Sequence, residues 1–121
     1  MNSTVTLIGN LTHEPEVRAT NGGSLTRLGL AVNRRWPVNG GWENRVSYFS
    51  VVTWGTLADN VATSLHKGDR VIVNGRLEQS SWQTEEQRRS TVEVVADEVG
   101  PSLRWATAEP IGTSRPDLVA A

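Results

Sequence analysis

Five tryptophans, one tyrosine and one phenylalanine are the aromatic residues of this 121-residue chain, and most of them lie in an arginine-rich span. Trp36 follows directly on Arg34 and Arg35, at what reads as the mouth of a loop. Along residues 46–54, Tyr48 and Trp54 share parity with Val46, Ser50 and Val52, whereas Phe49, Val51 and Thr53 point the other way. Successive strand residues face opposite sides. With Phe49 and Val51 in a core, Tyr48 and Trp54 therefore stand on the outer face, where large apolar rings are costly to leave unused. Trp82 has the parity of Ile72, Asn74, Arg76 and Glu78, the more polar side of its strand. Flat rings interleaved with arginine suit a binder that ignores sequence: every base offers a π-face for stacking, and guanidinium groups track the phosphates. The residues assigned to such a surface are Trp36, Tyr48, Trp54 and Trp82, with Arg34, Arg35 and Arg76. Trp42 and Trp105 are assigned instead to a core or a subunit interface, the usual place of a tryptophan.

Catalytic constellations find no support. His13 and His66 fall in separate turn regions, and neither has metal-ligand spacing to another candidate. Glu85-Glu86 and Asp97-Glu98 are adjacent carboxylates, which point apart in a strand and make a poor acid/base dyad. There is no nucleophile elbow, no phosphate-binding glycine loop and no dinucleotide fingerprint. The reading is a non-enzyme with no metal and no cofactor. Two rivals remain at this stage: a module of the same build that docks RNA or protein on its aromatic face, and a small enzyme with an unrecognised site.

Charge supports the first reading through its distribution. The net charge is −1, but residues 18–76 hold eight basic residues against three acids, and residues 77–121 four against eight. A positive working surface with an acidic flank follows, and only the former could hold phosphates. All but one of the twelve basic residues are arginine. No cysteine is present, so disulfides and thiolate metal sites are excluded. The first residues lack the pattern of a signal peptide, and no stretch has the length and apolarity of a membrane span, so a cytoplasmic location is the default expectation.

These residues need a scaffold of strands. The β-branched run 5–8 is broken by Gly9-Asn10 and by the turn at Glu14-Pro15. Residues 17–19 lead into the tight-turn signal Asn21-Gly22-Gly23. Residues 26–33 alternate, with Leu28, Leu30 and Val32 on one side. A loop is expected over 34–44, then a strand over 46–54. One helix is expected next, with Thr56 as N-cap and Asp59 three residues on in capping-box spacing. Its face carries Leu57, Val61 and Leu65, and Lys67-Gly68 stops it. Residues 70–81 form a long strand, 83–89 a polar loop, and 91–99 the fifth main strand. The class is all-β with one helix. Five strands with a single helix between the third and fourth is the plan of a five-stranded OB-fold Greek-key barrel. Composition alone also permits an SH3-like barrel or another small β-barrel, and the single helix in that slot favours the OB plan. Ser102 to Thr107 leaves room for an extra C-terminal strand. The domain is drawn as 1–108, with 109–121 a short flexible tail rich in Pro, Gly, Thr and Ala.

At these residues the chain resembles the bacterial single-stranded-DNA-binding protein family. The matching stretches are Leu7-Ile8-Gly9-Asn10-Leu11, Pro15-Glu16-Val17-Arg18, Asn21-Gly22-Gly23, Trp54-Gly55-Thr56-Leu57-Ala58-Asp59, Leu65-His66-Lys67-Gly68, Val71-Ile72-Val73-Asn74-Gly75-Arg76-Leu77 and Trp82. Their order and spacing, from Val5 to about Val99, make the match specific. The resemblance implies a homotetramer of OB-folds with DNA threaded over the outside, serving replication, recombination and repair, and a nucleoid-associated location. It also implies that Trp36, Tyr48, Trp54 and Trp82 stand where the family's base-stacking rings stand. Gly100-Pro101-Ser102-Leu103-Arg104-Trp105 looks like the actinobacterial branch, in which an extra strand clasps a neighbouring subunit. Family members typically close on an acidic, aromatic-ended tip that recruits replication and repair enzymes. Here Pro116-Asp117-Leu118-Val119-Ala120-Ala121 has one acid and no aromatic residue. The expectation is therefore a short-tailed paralogue, without recruitment through such a tip.

Overall fold

A computed structural model describes residues 3–83 and 88–113, with side chains described outside 80–91. Six strands and one helix follow in the order β1 (Thr4–Leu11), β2 (Glu16–Thr20), β3 (Gly23–Val38), β4 (Gly41–Trp54), α1 (Gly55–Ser64), β5 (Arg70–Gln83) and β6 (Arg88–Pro101). The strands form one sheet in the order β1-β5-β6-β4-β3-β2, closed by a further pairing of β1 with β3. All pairs are antiparallel except β4 with β6, at Val51↔Val94 and Val52↔Val95. With β2 set aside as the partner of β3's first residues, the remaining five strands carry the expected OB connectivity, the helix lying between its third and fourth strands.

Closure depends on β1 changing partners. It pairs with β5 from Thr4 to Asn10 and with β3 at Asn10 and Leu11. The two ladders meet where β1 passes close over β3: a Cβ on Gly9 would collide with the Ala31 carbonyl. β5 makes a similar approach to β6, where a Cβ on Gly75 would meet the Val95 carbonyl beside a register shift.

Alternation fills the interior as expected. Leu28 and Leu30 of β3, Val51 of β4, Val71 and Val73 of β5 and Val94 of β6 are all buried, with Val61 and Leu65 of the helical segment packed into the same cluster. Two buried threonines lie beneath the helix, and both hydroxyls are satisfied: Thr26 Oγ1 donates to the Ala58 carbonyl and Thr53 Oγ1 to the Thr26 carbonyl. Left unpaired, each would cost about 1–3 kcal/mol.

Four expectations change. The region 34–44 is not a loop: β3 and β4 continue as a paired ribbon to Val38↔Gly41. Asn39 and Gly40 alone make the turn, with Gly40 at φ 87°, a conformation that side chains resist. The polar loop expected over 83–89 is shorter, because β5 runs to Gln83 and β6 starts at Arg88. Thr56 is not the N-cap: α1 begins directly after the extended Trp54, which makes no side-chain cap, so Thr56 lies within the first turn. Residues 102–107 form no strand within the single chain. They run back beside α1 and, with its C-terminal end and the following turn, border a cleft of about 910 Å³. The first residues of the drawn tail, Glu109, Pro110, Ile111 and Thr113, border the same cleft, and Asn60 Nδ2 donates to Thr113 Oγ1 at 3.0 Å.

Candidate nucleic-acid interface

The β3–β4 ribbon positions most of the candidate residues. Its register pairs Trp36 with Glu43, Arg34 with Arg45 and Val32 with Ser47, continuing the row of core pairs Leu30↔Phe49 and Leu28↔Val51. The intervening pairs, Pro37↔Trp42, Arg35↔Asn44, Asn33↔Val46 and Ala31↔Tyr48, present their side chains on the other surface. The candidates therefore divide. Trp36 and Arg34 lie on the core-side surface beyond the point where the core ends; Arg35, Tyr48 and Trp54 lie on the outer surface.

Exposure agrees with this placement. Tyr48 is 73% and Trp54 46% accessible, although both rings carry apolar area that a free-standing domain would bury. Val52 departs from its parity: it is 3% accessible, at the point where β6 pairs alongside β4. Trp36 is 42% accessible and lies against two guanidinium groups, with Arg45 Cζ 4.6 Å and Arg34 Cζ 5.5 Å from its ring centroid. Arg34 and Arg45 are directly opposed across the ribbon, an unfavourable like-charge pair. The Trp36 ring and Glu43, whose carboxylate accepts from Arg45 at 3.2 Å, offset part of that repulsion. A bound phosphate would offset the rest.

Arg76 stands on the outer side of β5, away from the ribbon. The register aligns it with Val95, Val52 and Arg27 in one row across four strands, so the two arginines are about 14 Å apart at the usual strand spacing. Both are already engaged by acids. Arg27 pairs with Glu93, which also accepts from Ser50, and Arg76 lies 3.7 Å from both Glu78 and Asp97. Trp82 belongs to β5, its backbone opposite Arg89, but its side chain lies outside the described residues.

Two residues of the ribbon escaped the sequence reading. Arg45 stacks on Trp36, and Trp42, assigned above to a core or interface, is 63% accessible with Arg35 Cζ 4.9 Å from its ring. The Asn39-Gly40 pair was the available signal: read as a two-residue hairpin turn, it fixes the register that places both. Trp105 is exposed and lies against Arg70 and Arg104, beside the cleft.

The histidine turns, expected to be remote from one another, meet at Glu14. Its carboxylate accepts from the Lys67 amide at 2.7 Å and lies 3.1 Å from His66 Nδ1, while His13 Nδ1 contacts the Glu14 carbonyl. The Lys67 amide first, then His66, holds the Glu14 carboxyl below its ordinary pKa. This is a tie between two turns: among the described residues no group of three or more His, Asp or Glu could hold a metal ion. Among the same residues no helix is long and apolar enough to cross a membrane.

A closed OB sheet with exposed rings and arginines along one ribbon leaves the family to be decided, and the profile of the single-strand binding protein family matches residues 1–102. The chain belongs to that family. The single-stranded DNA-binding protein of Mycolicibacterium smegmatis is 43% identical over 118 residues, spanning 93% of this chain and 72% of that one. The small single-stranded DNA-binding protein of Streptomyces coelicolor superposes with a TM-score of 0.71 at 30% identity, covering 84% of this chain and 95% of its own. The Plasmodium falciparum protein in complex with single-stranded DNA gives a TM-score of 0.75 over 83% of this chain and 94% of its own. At 24% identity that likeness bears on the fold alone.

Proposed function

We propose that this chain binds single-stranded DNA without sequence preference and protects it during replication, recombination and repair, by stacking bases on aromatic rings and pairing phosphates with arginine. Membership of the single-strand binding protein family supports the class of ligand. The observation that carries the mechanism is the outward exposure of Tyr48 and Trp54 on one strand face, beside a ribbon that crowds Arg34, Arg35 and Arg45. A stacked base contributes about 1–3 kcal/mol whatever its identity. This is work for a binding surface and requires no catalytic group.

Trp36, Tyr48, Trp54 and Trp82 are the stacking residues in this reading, and Arg34 and Arg35 the principal phosphate partners. Arg76 contributes less, because a phosphate must compete with Asp97 and Glu78 for it. The protein works as a homotetramer, cytoplasmic and associated with the nucleoid, built from the domain 1–108; residues 109–121 serve neither DNA binding nor assembly.

A fluorescence titration with oligo-dT at several salt concentrations tests the reading. Tryptophan emission should be quenched as indole and base come into contact, and log affinity should fall linearly with log salt. Competition by oligo-U stronger than by oligo-dT would assign the surface to RNA instead, since the 2′-hydroxyl is what a site uses to tell the two apart.

A further inference from the structure

We propose that Trp42 and Arg35 form a second base-stacking site, back to back with Trp36, so that the β3–β4 tip inserts between two passes of the bound strand. The inference rests on the DNA-binding reading above and extends it to a ring outside the stacking set Trp36, Tyr48, Trp54 and Trp82, at the far end of the surface that carries Tyr48 and Trp54.

Among the described residues, the ribbon beyond Asn33 and Val46 has no third strand beside it. β1 pairs with β3 only at Leu30 and Ala31, β2 only up to Arg27, and β6 meets β4 only at Val51 and Val52. Every residue from Asn33 to Val46 is exposed, so both surfaces of the tip are open. A bare two-stranded ribbon is marginal in water. Here each surface carries one indole with guanidinium against it: Trp36 with Arg34 and Arg45 on one side, Trp42 with Arg35 on the other. The neighbouring register pairs Trp36↔Glu43 and Pro37↔Trp42 force the two rings to opposite surfaces.

Charge selects the occupant. The tip has three arginines against the single acid Glu43, and two of those arginines oppose each other directly. A polyanion relieves that crowding, whereas a second copy packed tip to tip would double it. The Arg35–Trp42 pair also has the two parts that a nucleotide needs, a π-face for the base and a cation for the adjoining phosphate.

The test uses the full chain and oligo-dT, with affinity, tryptophan quenching, melting temperature and light-scattering mass measured on each variant. Trp42→Ala should keep the parent's melting temperature and mass and weaken binding about 5- to 150-fold, the loss of one stacked base. Trp42→Phe, which keeps a ring, should recover much of that loss. Arg35→Ala should lower the slope of log affinity against log salt by about 0.7, one phosphate of a single strand. Trp36→Ala combined with Trp42→Ala should multiply the two losses, since each ring holds a different base. Parent-like binding by Trp42→Ala overturns the proposal, as does a double variant no weaker than Trp36→Ala alone. A changed mass with unchanged affinity per chain also overturns it, assigning this face to a subunit contact. A parent chain that fails to bind oligo-dT overturns the functional reading itself, and the two failures are thereby distinct.

Discussion

Tyr48 and Trp54 share one face of β4 yet differ in what else they support. Tyr48 projects freely, whereas Trp54 closes the strand, occupies the N-cap position of α1 in extended backbone and lies opposite Leu25. Trp54→Ala should weaken oligo-dT binding by about 1–3 kcal/mol. Its cost in folding should stay well below the roughly 3–5 kcal/mol of removing a fully buried tryptophan. Calorimetry and titration on one sample separate the two effects, and a large fall in melting temperature would make Trp54 a core residue. Glu14 supplies a prediction about acid. Its carboxyl is held low by the Lys67 amide and His66, so the charged form contributes stability that is complete above the ordinary carboxylate pKa and disappears as pH falls through the lowered value. Melting curves of the parent and Glu14→Gln should differ most near neutrality and converge in acid. A gap that widened on acidification would contradict this role.

Among the elements, strands with one buried face were legible and the uncovered ribbon was not. Leu28, Leu30 and Val32 announce their strand because their alternation follows a real core. Beyond Val32 no described residue covers the ribbon, so no apolar period marks it, and Arg34, Arg35 and Trp36 read as the edge of a loop. The same gap hid Arg45 and Trp42, whose positions depend on cross-strand register rather than on local pattern. The Thr56 cap failed for another reason: the capping-box spacing was present, but the chain enters α1 straight from the extended Trp54, leaving Thr56 two residues too late. Closure was expected from the barrel plan, but where it is made was not legible, because it rests on β1 passing close to β3 at Gly9, where backbone and not side chain sets the limit. Gly9→Ala should therefore destabilise the fold by about 1–3 kcal/mol, as overpacking does, when measured by urea denaturation. An alanine there that left the midpoint unchanged would show that β1 has slack at its change of partners.

At the scale of the whole molecule, a domain of this size closes only a small core and commonly gains by association. Most of the outer side of β1 and β5 is polar, as Asn74 Nδ2 donating to Thr6 Oγ1 across the pair illustrates. Ile8 and Ile72 break that pattern. They are direct register partners, so their side chains adjoin on one surface, and they are 44% and 41% accessible. Two β-branched residues side by side on an outer face make a small apolar patch, and a self-complementary contact repeats such a patch about a two-fold axis. Replacing both by glutamate removes the apolar contact and puts like charges in its place, but leaves the interior cluster of Leu7, Val71 and Val73 untouched. The parent should scatter as about four chains, as its family resemblance implies, and Ile8→Glu with Ile72→Glu should give a smaller species with the parent's circular dichroism. Short oligo-dT should still quench its tryptophans, because Tyr48, Trp54 and the β3–β4 tip lie on other strands. A double variant that kept the parent's mass would place the subunit contact elsewhere, and a parent that ran as a monomer at micromolar concentration would end the tetramer reading.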